Sequence, residues 1–161
     1  MAGIESRSLT VLTKSGAITF EESSEQFVEK FIKVTNSSGN TALRSSLSSP
    51  SVQVESLSGS IALAVKTAAT DLKIKNNSGS IQGSVDYSKE ATSTSLFENK
   101  SGSLSITLKH WTGFLTAESS SGSKQIRGDG VERWNDGWKK GDRDSVATFT
   151  TQSGSINVKA V

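Results

Sequence analysis

The residues best equipped for chemistry crowd into one stretch. Between Asp129 and Val146 the chain sets Trp134 and Trp138, two of its three tryptophans, among Asp129, Asp136, Asp142 and Asp144 and the cations Arg133, Lys139, Lys140 and Arg143. Indole rings stack on sugar faces and anchor partner proteins, because they bury a large apolar area at little entropic cost. Trp111, Trp134, Trp138, Lys139 and Asp136 are therefore candidate ligand-binding residues, with a glycan or a surface partner as the ligand. The plainer alternative is that the rings fold this stretch back onto the body of the protein. The aspartates do not follow the spacing of a twelve-residue calcium loop, so no metal is expected. His110, the only histidine, could serve a Ser-His-Asp site only where a Ser and an Asp converge on it. The chain has no cysteine, which removes thiolate nucleophiles, thiolate metal sites and disulfides. No catalytic residue and no cofactor is expected, and the chain reads as a non-enzyme.

What must position these residues is a repeat. A Ser-Gly pair recurs with its glycine at Gly16, Gly39, Gly59, Gly79, Gly102, Gly122 and Gly154, in steps of 23, 20, 20, 23, 20 and 32 residues. A period of this length marks a solenoid or an array. With each glycine as zero, positions −7 and −5 are mostly apolar, as in Val52 and Val54 or Leu72 and Ile74. Positions +2 and +4 are too, as in Ile61 and Leu63, while the residues between are polar or small. Alternation with β-branched enrichment predicts two half-buried strands per copy. The inward phase is odd before the glycine and even after it. Strand side chains alternate with period two, so the backbone must turn there. Glycine tolerates the positive φ of such a corner, and the preceding Ser suits a turn.

Position −3 is small and hydrogen-bonding in every copy: Thr13, Asn36, Ser56, Asn76, Asn99, Ser119 and Thr151. Stacked copies would bring these side chains into a polar ladder inside the corner, where buried donors and acceptors require partners. Two topologies satisfy the phase. One is a single-stranded parallel β-helix of about seven coils; the other is a row of antiparallel hairpins with Ser-Gly loops. A two-residue hairpin loop favours Asn-Gly or Asp-Gly, whereas all seven copies here carry Ser. A β-helix, right-handed by the rule for parallel crossovers, is the expectation.

Half of the connectors are six residues long, as in 66–71 and 109–114, while 23–31 and 86–94 are longer and could supply a short third side. Phe27, Val28 and Phe31 have some helical spacing in a segment too short to stand alone. Pro50 falls in a connector, where a missing N–H costs least. The expected organisation is one solenoid domain over 1–161 with a long loop inserted at about 129–146.

Composition agrees with an elongated fold. Only 33% of the residues are hydrophobic, and Ser and Thr exceed a quarter of the chain. The net charge is +2, with 18 basic and 16 acidic residues. No basic stripe with interleaved aromatics argues for nucleic acid as partner. No apolar run approaches the ~18 residues of a membrane span. The sequence carries no compartment signal, and both cytoplasm and cell surface remain open.

Asn76-Asn77-Ser78-Gly79-Ser80-Ile81 and Asn99-Lys100-Ser101-Gly102-Ser103-Leu104 resemble the repeats of the adhesin-type β-solenoid family of bacteria and fungi, whose hallmark is a recurring Ser-Gly-x-Ile/Val. The resemblance covers essentially the whole chain and departs at Lys124, where an apolar residue belongs. It implies a β-solenoid and a structural or adhesive role, and no catalytic residues. Both ends of the chain read as strands without polar caps. Uncapped solenoid ends expose unpaired backbone, so a homo-oligomer joined through the ends is expected. The reading from another class is a carbohydrate-binding or polysaccharide-active β-helix that works through the tryptophan segment 129–146.

Overall fold

The computed structural model describes residues 5–21, 25–67, 69–87, 92–142 and 144–161. Every described element is a strand. β1 (Glu5–Thr13) and β2 (Ile18–Phe20) flank Gly16, and β3 (Glu25–Asn36) and β4 (Thr41–Leu43) flank Gly39. β5 (Ser46–Ser48) lies in the next connector, ahead of β6 (Ser51–Ser56) and β7 (Ile61–Thr67) around Gly59. Gly79 is flanked by β8 (Asp71–Ser78) and β9 (Ile81–Asp86), and Gly102 by β10 (Thr94–Ser101) and β11 (Leu104–Lys109). Around Gly122 lie β12 (Gly113–Ser121) and β13 (Lys124–Arg127), followed by β14 (Val131–Trp134) and β15 (Gly137–Lys140). β16 (Val146–Ser153) and β17 (Ile156–Ala160) flank Gly154.

Strands before the glycine pair in parallel and in register with the equivalent strands of other copies, for example Val54↔Ile74 and Phe97↔Ile74. Strands after it do the same, as in Ile61↔Ile81. The chain is a parallel β-solenoid, and the row of antiparallel hairpins is excluded. The segment with helical spacing is part of β3, because Ile32, Val34 and their stacked neighbours reward a period of two. A short third side is present where β5 pairs with Glu25–Phe27 of β3 and with the end of β7. The connector at 23–31 begins outside the described residues, and 88–91 of the connector at 86–94 also lie outside them. The Pro50 carbonyl accepts the Thr70 and Asp71 amides at 3.1 and 3.0 Å, which ties its connector to the next coil.

Inside the coils, Val34, Val54, Phe97, Phe149, Ile61, Ile81 and Leu104 are wholly buried. Ser95 stands where its column otherwise has apolar residues. Its hydroxyl meets the buried Tyr87 hydroxyl at 2.8 Å, and burial holds that phenol far above its ordinary pKa, so it stays protonated.

The polar column runs along the stack, but its side chains bond to backbone rather than to one another. The Asn76 side-chain amide donates to the Gly59 carbonyl at 2.9 Å, Asn99 to Gly79 at 2.8 Å, and the Ser119 hydroxyl to Gly154 at 3.0 Å. Asn36 donates to the carbonyls of Gly16 and Gly39. Thr13 and Ser56 instead serve their own corners, donating to the Ser15 and Ser58 carbonyls. Each corner glycine has a φ between 105° and 141°, and all but Gly16 sit directly over the glycine carbonyl of the neighbouring coil.

The order of the coils is not the order of the chain. β16 pairs with β10 on one side and β12 on the other, and β17 lies between β11 and β13. Counting layers from the N-terminal end, the seventh copy occupies layer six and the sixth copy occupies layer seven. The C-terminal end of the chain is therefore not an open edge: Ala160 is fully buried, and the Val161 amide donates to the Leu108 carbonyl at 2.9 Å. Two side chains favour the inversion. Phe149 stacks on Phe97 with ring centroids 4.8 Å apart and an interplanar angle of 4°, whereas the sixth copy has only Ala117 at that position. In chain order, Lys124 would be sandwiched between Leu104 and Ile156; in layer seven it is exposed. An unpaired buried ammonium costs several kcal/mol, so the cation goes to the end of the stack.

Candidate functional site

The stretch expected to be a long loop at 129–146 is mostly a hairpin. β14 and β15 pair in antiparallel fashion, and Lys140, Lys139 and Trp138 pair with Gly113, Phe114 and Leu115 on the outer edge of β12. The hairpin thus covers part of the far end of the solenoid. The turn, Asn135-Asp136, has Asn135 at φ 46°, a conformation Asn tolerates better than most residues.

Alternation divides the hairpin residues between two faces. Trp138 and Val131 pack against the hydrophobic core, and the Arg133 guanidinium lies 4.4 Å from the centroid of the Trp138 ring. Trp138 is thereby committed to closing the end of the core. On the other face Trp134 is 50% exposed. The Lys139 ammonium sits 5.3 Å from the Trp134 ring and 5.7 Å from that of Phe114, and donates to Asp142 at 2.9 Å. That bond holds the exposed Asp142 carboxyl below its usual pKa. Gly137 faces Trp134 across the turn, and a side chain there would run into the Leu115 carbonyl. Its bare backbone leaves a cleft of about 220 Å³ walled by Trp134, Phe114 and Thr116, with Asn135 and Asp136 at the rim.

Trp111 does not join this group. It is 1% exposed and sits in the connector between β11 and β12, so it fills the core and offers no ring to a ligand. Sequence proximity to His110 gave no sign of this, because Trp111 lies between the polar His110 and Thr112 and outside the alternating positions of the strands.

His110 meets Asp86 through Nδ1 at 2.8 Å, with the imidazole side chain 71% exposed. Two members of a triad are thus in contact. Among the described residues no serine hydroxyl bonds to His110. Likewise, no group of three His, Asp or Glu side chains converges among them. No described helix is long and apolar enough to cross a membrane.

Comparison with known proteins places the chain in a family. No curated protein and no solved structure matches it. A family model for Toastrack DUF4097 matches residues 1–96, which hold the first four coils and the start of β10. This agrees with a β-rich repeat architecture, and the chain belongs to the Toastrack DUF4097 family.

Proposed function

We propose that the protein is a non-enzymatic, adhesin-like structural module whose first coil associates with the first coil of a second copy. The observation that carries this reading is the state of that edge. Among the described residues β1 pairs only with β3, and β2 only with β4. A side chain built on Gly16 would meet nothing within 4 Å, so the corner column is open there. Leu9, Val11 and Phe20 are only partly buried, and Leu12 is 69% exposed. Two such edges related by a two-fold axis would pair antiparallel and cover these residues from both sides. In sedimentation equilibrium, dimers are expected at micromolar concentration. Val11→Lys, an inward charge on an edge strand, should return them to monomers. Wild-type protein that stays monomeric at every concentration would rule the reading out.

The cleft beside Trp134 favours a second reading, in which the module presents a saccharide site. An exposed indole face takes the C–H face of a pyranose, and Asp136 and Asn135 offer hydrogen-bonding groups at the rim of the cleft. On a glycan array, binding is expected to disappear with Trp134→Ala and to survive Trp111→Phe, because Trp111 is inside the core. Binding unchanged by Trp134→Ala would exclude this site.

A further inference from the structure

The sixth layer is filled by the last coil of the chain, and a connector of ordinary length is stretched past it. Residues 109–113 carry the backbone from layer five to layer seven, with His110 at φ 54° and Gly113 at φ 144°. The connector is bonded to the inserted coil. The His110 amide donates to the Val161 carbonyl at 2.9 Å, and the Phe114 amide donates to the Ser145 carbonyl at 2.8 Å. A side chain on Gly113 would collide with the Ser145 backbone where the chain crosses back toward layer six. The fifth and sixth coils are two jaws joined by this connector, and the C-terminal coil is what they grip.

We propose that the slot between these jaws also takes the C-terminal coil of a second copy, so that molecules are joined by exchange of residues 145–161. Three observations support this. The strand pairings of the inserted coil are with β10 and β12 on one sheet and β11 and β13 on the other, and none depends on which chain supplies it. Exchange of an identical element leaves the contacts unchanged and alters only the hinge. The hinge is slight: Gly141, Asp142 and Asp144 are exposed, and no apolar residue between Lys140 and Ser145 anchors the crossing. An empty slot, finally, is unfavourable. It would strip four strands of a partner and leave the Phe97 ring without its stacking neighbour. A foreign coil restores all of this. Reciprocal exchange closes a dimer, and donation from each molecule to the next builds a chain.

The absence of cysteine in the protein permits a direct test. Leu96 and Thr148 are register partners on the outer face of β10 and β16. A full-length L96C chain carrying a size tag is unfolded and refolded together with an untagged full-length T148C chain, then treated with a short thiol cross-linker. The double variant L96C/T148C reports whether the coil reaches its own slot, and tagged L96C with T19C, on the outer face of the first coil, gives the background of collisions. The expected result is a mixed-size covalent dimer several-fold above that background, unchanged when Val11→Lys is added to both chains. Mixed dimer at background level, with the double variant cross-linked within one chain, would overturn the proposal. So would a double variant that fails to cross-link at all, because the slot would then not hold this coil.

Discussion

Gly79→Ala is expected to cost the fold about twice what Gly16→Ala costs, although both glycines occupy the same corner of their coils. Their φ angles are nearly equal, 111° and 105°. Neither value suits an L side chain, and residues forced into such regions cost about 1–3 kcal/mol each. Within one molecule that is the whole penalty at Gly16, where an added methyl group meets open space. At Gly79 the methyl group would run into the Gly59 carbonyl, the same oxygen that accepts the Asn76 side-chain amide. The coils must then separate locally, and the Asn76 bond and the ladder amides nearby lose geometry with them. A buried donor left unpaired adds about 1–3 kcal/mol, so a total of about 2–6 kcal/mol is expected for Gly79→Ala, roughly twice the loss at Gly16. Urea titration followed by circular dichroism reads both variants on one scale. Equal losses would mean that stacking of glycine on carbonyl does not hold the coils together and that only backbone conformation matters.

The features legible in the sequence are those that depend on a residue and its near neighbours. The phase change across Ser-Gly marks the corner, and alternation around Val52, Val54, Ile61 and Leu63 marks the strands, because burial of one strand face imposes a period of two wherever it occurs. The polar position at −3 was visible for the same reason. Its partners were not, because a glycine carbonyl is present at every corner and leaves no trace in residue type. The order of the coils was hidden more deeply. The connector at 109–114 has the length of one that spans a single layer, so nothing in it announces the double step. The information lies in pairs distant in sequence, Phe97 with Phe149 and Lys124 with its would-be neighbours Leu104 and Ile156. Lys124 was visible as a departure from the repeat, and a cation out of place in an apolar column is the mark of a coil bound for an end of the stack. Without the idea of a permuted order, it reads only as a weak coil. Trp111 shows the converse. Its type suggests a binding ring, and only the packing of the connector over the core decides otherwise.

If the order of the coils is set by Phe149 and Lys124, then changing both should restore the order of the chain. Phe149→Ala alone removes a ring that is wholly buried and stacked on Phe97. Large-to-small changes of this kind cost about 3–5 kcal/mol. The loss should fall first on the inserted coil, so the amides of Ile156 and Val158 should exchange with solvent sooner than those of Val54 and Ile74. Lys124→Ile removes the charge that bars the sixth copy from layer six. In the combined variant, stacking in chain order no longer buries a cation and no longer sacrifices an aromatic pair, and the connector at 109–114 relaxes to a single-layer step. A disulfide between L96C and T116C distinguishes the two arrangements. In the inserted order Thr148 separates these positions, which puts their Cα atoms about 9–10 Å apart, beyond the ~7 Å limit for a bridge. In chain order they are adjacent, at about 4.8 Å. The bridge is expected to be absent with the native residues at 124 and 149 and to form readily in the combined variant. Formation in the otherwise native chain would mean that the sixth copy already sits on the fifth. Failure to form in the combined variant would mean that the hairpin on β12, rather than the ring and the cation, fixes the order.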